Sequence, residues 1–148
     1  MASKREQILA AIKTNLTGTT GVGTRIYRSR VAALTRAESP ALVLEPITDT
    51  PNINNTRVDW TLRIRVVVIV RGEIPENIAD STIESLHTKI LTNTTLGGLA
   101  IDIQPSTQSF EVLDADQPAG VITCEYEIQY RTEYNKLSTW IIIKVVPY

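Results

Sequence analysis

Several residue sets in this chain have types that chemistry can use, and their spacing decides what each can do. Residues 18–23 read Gly-Thr-Thr-Gly-Val-Gly, the one glycine-rich loop. A phosphate cradle needs Gly-Lys-Ser/Thr opening a helix, or G-x-G-x-x-G between a strand and a helix. This loop follows a helical pattern and enters a strand, so it reads as a connector. His87 is the only histidine, set at the edge of a helical core stripe without the partners a metal or a triad requires. Cys124 falls on the apolar face of a strand pattern and reads as a small buried hydrophobe. Asp114 and Asp116 open like a calcium loop but lack the third ligand, the glycine and the closing glutamate. Glu125 and Glu127 share one strand face about 7 Å apart, with no pocket-forming pattern around them. They read as a solvated or interface face. The expectation is a protein that is not an enzyme and holds no metal or cofactor.

The cations form a set of their own: Arg25, Arg28, Arg30, Arg36, Arg63, Arg65 and Arg71. Nucleic-acid modules combine net positive charge with interleaved aromatics. Here the net charge is −1, and only Tyr27 lies within the Arg25–Arg36 group. Ion pairs across a subunit interface fit better, with Arg28, Arg30, Arg63, Arg65, Arg71 and Glu73 as the expected contributors. The charge is unevenly spread along the chain. Residues 1–72 carry eleven Lys/Arg against five Asp/Glu, and residues 73–133 carry two against eleven. Such a split favours head-to-tail contact between identical subunits, unless folding interleaves the halves and cancels it.

The 148 residues, 43% hydrophobic and 21% charged, suit one folded domain. A single cysteine excludes an internal disulfide framework. No transmembrane run or signal-peptide core is evident, so the expected compartment is cytosol, and the sequons at Asn15, Asn54 and Asn93 are chance matches.

The elements that must position these residues follow from periodicity. Ser3 and Glu6 form a capping-box pattern, and Ile8, Leu9, Ile12 and Leu16 share one face of a helix over about residues 4–16. Residues 25–30 and Ala41-Leu-Val-Leu44 predict short strands, the second bounded by Pro40 and Pro46, and residues 48–56 a polar loop. Apolar residues at every second position from Val58 to Val70 predict a long strand. Its second half is apolar on both sides and should be covered on both. Ala79, Ile83, Leu86 and Ile90 give the stripe of a second helix from Glu76 to about Asn93. Ile101 and Ile103 begin another strand, which Ser109 to Leu113 continues or follows. Ile122, Cys124, Tyr126, Ile128 and Tyr130 alternate with polar residues in a second long strand. Consecutive strands without intervening helices give an α+β class with a mainly antiparallel sheet and two main helices packed on it.

The segment Thr139-Trp-Ile-Ile-Ile-Lys-Val-Val-Pro-Tyr148 is unusually apolar for a terminal stretch. It is either a last strand of its own sheet or an arm that augments a neighbour's. The polar run from Glu133 to Ser138 detaches it, which favours the arm. Residues 1–138 then form the domain and 139–148 an extension, with Trp140, Ile141, Ile142, Ile143 and Val145 as partner-binding residues.

Taken in order, several stretches resemble the tail-terminator (minor tail protein U-like) family of long-tailed bacteriophages. The carriers are Arg36-Ala-Glu-Ser-Pro-Ala-Leu-Val43, the long strand ending Arg71-Gly72-Glu73, the helix containing His87, Leu96-Gly-Gly-Leu-Ala100, and Tyr130-Arg-Thr132. The resemblance runs from the first helix to about residue 138. It departs after that, because such proteins tend to stop soon after the Tyr-Arg-Thr strand, so the apolar segment inherits no role. The resemblance implies a virion protein assembled in the bacterial cytoplasm. Six subunits would ring a DNA-wide channel, with the tail-tube protein on one face and a head-completion or neck protein on the other. Genome DNA would pass without sequence-specific binding, which favours acidic or neutral lumen residues, with Asp114, Asp116, Glu125 and Glu127 as candidates. Two other readings stay open: another neck protein, such as a head–tail joining or tail-completion subunit, and a small ligand-binding domain or enzyme of the host.

Overall fold

A computed structural model describes residues 2–28, 40–113 and 119–138, with the backbone alone at Leu113. Arg30, Asp114, Asp116 and the expected arm, including Trp140, Ile141, Ile142, Ile143 and Val145, lie outside the described residues.

Among the described residues two helices and five strands are laid out as α1 (Lys4–Leu16), β1 (Ile26–Arg28), β2 (Ala41–Asn54), β3 (Arg57–Arg71), α2 (Pro75–Thr92), β4 (Asp102–Leu113) and β5 (Ala119–Glu133). A 3-10 turn at Leu96–Gly98 stops α2 ahead of β4. The strands form one sheet in the order β1-β2-β3-β5-β4. Only the β1–β2 pair is parallel, so the fold is α+β around a mainly antiparallel sheet.

Alternation decides which side of the sheet is covered. Leu62, Ile64, Val66, Val68 and Val70 of β3 point to one face, with Ile122, Cys124, Tyr126, Ile128 and Tyr130 of β5 beside them. Ile8, Ile12 and Leu16 of α1 and Ala79, Leu86 and Ile90 of α2 close over that face and complete a single core. The approach is tight at one point. A Cβ on Gly120 would sit 2.3 Å from Cβ of Pro75, so only glycine lets the start of α2 rest on β5.

Some expectations need correction. The capping box at α1 is half made: the Ser3 hydroxyl accepts from the Glu6 amide at 3.2 Å, while the Glu6 carboxylate turns to Arg28. The second strand does not stop at Pro46. It runs to Asn54 and pairs with β3 down to Asn54↔Arg57, so the expected polar loop is ladder, with only Asn55 and Thr56 in the turn. Among the described residues β1 covers β2 only at residues 42–44, which leaves Pro46 and Pro51 on an edge there, where a missing donor is tolerated. A bulge at Ile47, between Pro46 and Thr48, breaks the alternation. The far half of β3 is not sealed on both sides either: Val67 and Ile69 are half-buried, and among the described residues no helix lies over them.

Candidate subunit interfaces

Side chains with chemical potential are mostly engaged in holding the fold. In the glycine loop, the amides of Gly18, Thr19, Val22 and Gly23 bond back into the loop or to Leu16, and the Thr20 amide donates to Ser85 Oγ at 3.1 Å. Thr82 Oγ1 donates to the Thr20 carbonyl at 2.8 Å, which seats the loop on α2. Amides turned inward in this way are already engaged within the fold. His87 Nδ1 lies 2.9 Å from the Tyr126 hydroxyl, which ties the ring to the core. Burial pushes the Cys124 thiol up to about 11, which disfavours the thiolate a nucleophile needs. Among the described residues no group of three or more His, Cys, Asp or Glu is placed to hold a metal, and no helix is long and apolar enough to cross a membrane.

The face of the sheet that no described helix covers carries the charges. Register sets Arg63 opposite Glu127, Arg65 opposite both Glu45 and Glu125, and Asp59 opposite Arg131. Three ion pairs result: Arg63–Glu127 at 3.0 Å, Arg65–Glu45 at 2.7 Å and Arg131–Asp59 at 2.6 Å. Glu125 accepts from Thr107 Oγ1 at 2.6 Å. Arg28 meets Glu6 through both carboxylate oxygens, which holds the Glu6 carboxyl below its ordinary value. Folding therefore interleaves the basic and acidic stretches of the sequence. Arg28, Arg63 and Arg65, expected to face a neighbour, each hold a carboxylate of their own chain. Glu73 is exposed just past β3, which Arg71 ends.

No protein-family model matches the chain, and no curated protein matches it.

The most open feature is β4. It is an outer strand, paired only with β5, and among the described residues no strand pairs with its other edge. A bulge between Pro105 and Gln108 changes its phase, as in β2. After the bulge Gln108, Phe110 and Val112 point to the helix side, opposite Cys124, Ile122 and Gly120. α2 does not reach over them, and Phe110 and Val112 are each 63% exposed. Between this row and α2 runs a groove of about 290 Å³ lined by Asp80, Ile83, Glu84, His87, Thr88 and Gln108. A larger cavity of about 480 Å³ beside the glycine loop is polar, with Thr20, Ser81, Ser85, Thr88, Glu84 and Lys89 around it.

Sequence reasoning missed one cluster. The β2 bulge turns Asp49 onto the helix face, opposite Leu62. Its Oδ2 accepts from the Tyr130 hydroxyl and lies 3.5 Å from Arg5 Nη1, while Oδ1 is buried without a hydrogen-bond partner. Burial raises the Asp49 carboxyl above its ordinary value, against the opposing pull of Tyr130 and Arg5. Trp60 stacks on Tyr130 with ring centres 6.2 Å apart and donates to Thr132 Oγ1 at 2.9 Å. Neither the polar run around Asp49 nor its spacing signals this, because the partner hydroxyl is 81 residues away.

Proposed function

We propose that the chain is a structural subunit of a tailed phage, a tail terminator. Six copies would ring the head-proximal end of the tail tube, stop its growth and join it to the neck without catalysis. The terminator role rests on the sequence resemblance. The observation that best supports an assembling subunit is the long β4 edge with Phe110 and Val112 outward. Sheet edges with apolar flanks are a liability in a monomer and an interface in an oligomer. The other side of the sheet ends in β2, whose residues beyond 44 form a second edge among the described residues. Two unlike edges suit head-to-tail contacts, and such contacts form a ring when the rotation closes.

In this reading the uncovered face is a candidate lumen wall. Glu125 and Glu127 would present mixed charge there, since Arg63 and Thr107 already bind them. A surface of paired charges retains phosphate weakly, which suits a passage for DNA.

Particle imaging with this chain located tests the proposal. A ring between tail tube and neck is expected. A ring elsewhere in the neck would assign it to head–tail joining or tail completion, and a subunit that stays monomeric inside its assembled context would overturn the ring altogether.

A further inference from the structure

We propose that the outer edge of β4 receives the segment Trp140 to Val145 of a neighbouring copy as an added strand. This deepens the assembly reading above and rests on it. Among the described residues no strand pairs with the outer side of β4, and Phe110 and Val112 stand beside the α2 groove with apolar surface exposed. A strand laid there sends alternate side chains to the two faces of the sheet. One row of the segment is Trp140, Ile142 and Lys144. Its two apolar members match Phe110 and Val112, and its ammonium matches Asp80 and Glu84, the carboxylates lining the groove. The other row, Ile141, Ile143 and Val145, would lie on the second face beside Ser109 and Glu111 of β4, with half-buried Val121 and Ile69 on the strands beyond.

Reach decides between the chain's own edge and a neighbour's. The Leu137 carbonyl accepts from the Lys4 amide at 2.7 Å and the Ser138 carbonyl from Gln7 Nε2 at 3.4 Å. Lys4 Nζ in turn donates to the Arg131 carbonyl at 3.2 Å. Residues 137 and 138 therefore sit at the Arg131 end of β5. Phe110 pairs with Ile122, nine residues before Arg131 in sequence, which is roughly 30 Å away along the strand. Four residues carry Ile142 no more than about 14 Å beyond Ser138. Ile142 thus falls short of its own Phe110, so a pairing of these two is made in trans.

Disulfide trapping in the full chain tests this. The native thiol is removed by Cys124→Ser, and Val112→Cys is combined in turn with Trp140→Cys, Ile142→Cys or Lys144→Cys to cover shifts of two residues. Concentrated protein and assembled particles are then oxidised. One of the three pairs should give covalent dimers and higher multimers that collapse on reduction. An intrachain bond in a monomer, or no bond in any pair, overturns the proposal. Independently, Phe110→Glu with Val112→Glu should weaken association by about tenfold or more, with the thermal midpoint of the subunit retained. Unchanged association would also overturn it. The two readings fail separately: rings without cross-links refute the edge docking alone, and cross-linked open chains without rings refute the ring alone.

Discussion

Asp49 and Gly120 show how much one position can matter in this sheet. A carboxyl raised by burial keeps its proton to higher pH in the folded chain than in the unfolded one. The folded state then binds more protons between the ordinary value and the raised one, so stability falls as pH rises through that window. Asp49→Asn keeps a carbonyl acceptor for Tyr130 and removes the buried charge. Its urea midpoint should equal or exceed that of the native chain at neutral pH, and the native chain should lose ground to it as pH rises above the ordinary carboxyl value of about 4. A native chain that gains on the variant over that range would contradict the assignment. Gly120→Ala tests the other close approach. The added methyl meets the rigid Pro75 ring, and lifting α2 should cost about 1–3 kcal/mol, read from denaturant unfolding. A neutral effect would mean that α2 does not rest on β5 there.

At the scale of elements, the helix caps and the bulges separate what a sequence announces from what it hides. The Ser3 hydroxyl caps α1, so Ser3→Ala should cost roughly 0.5–2 kcal/mol. Glu6 serves Arg28 rather than the Ser3 amide, so Glu6→Gln should cost less, about 0–1 kcal/mol, and that cost should shrink in salt. Equal, salt-independent losses would restore the full capping box. Both helices and the two central strands were legible because their periods run unbroken: β3 over Arg57–Arg71 and β5 over Ala119–Glu133, with no bulge between them. The flanking strands were not. In β2 the helix-side residues are Leu42 and Leu44 before the bulge and Asp49 and Pro51 after it. In β4 they are Ile103 and Pro105, then Phe110 and Val112. One extra residue reverses the parity, and an alternation test then reads a strand as a loop. The ion pairs were hidden for a different reason. Arg63 meets Glu127 only because β5, not β4, lies next to β3, and strand order is not written in local pattern.

For the whole molecule, internal pairing of charge changes what should drive association. With Arg28, Arg63 and Arg65 held by carboxylates of the same chain, little free charge is left at those positions to steer a neighbour. Apolar edge contact does not weaken with salt. Subunit association should therefore change by less than about threefold between low and moderate ionic strength, as read by sedimentation or mass photometry. A steep loss with added salt would return the interface to the arginines and mark the intrachain pairs as exchangeable.

The β2–β3 turn has a practical corollary. Asn55 sits at φ +59, a conformation asparagine accepts readily, and Asn54, Asn55 and Thr56 are exposed at the tip of the β2–β3 hairpin, where β5 also pairs with β3. Loop tips of this kind accept foreign peptide with little loss of stability. A short epitope inserted between Asn54 and Asn55 should leave the domain folded, with its thermal midpoint within a few degrees of the native value. The same insertion would act as a molecular flag: an antibody fragment bound to it would report the subunit's position and the direction its hairpin points within an assembled particle.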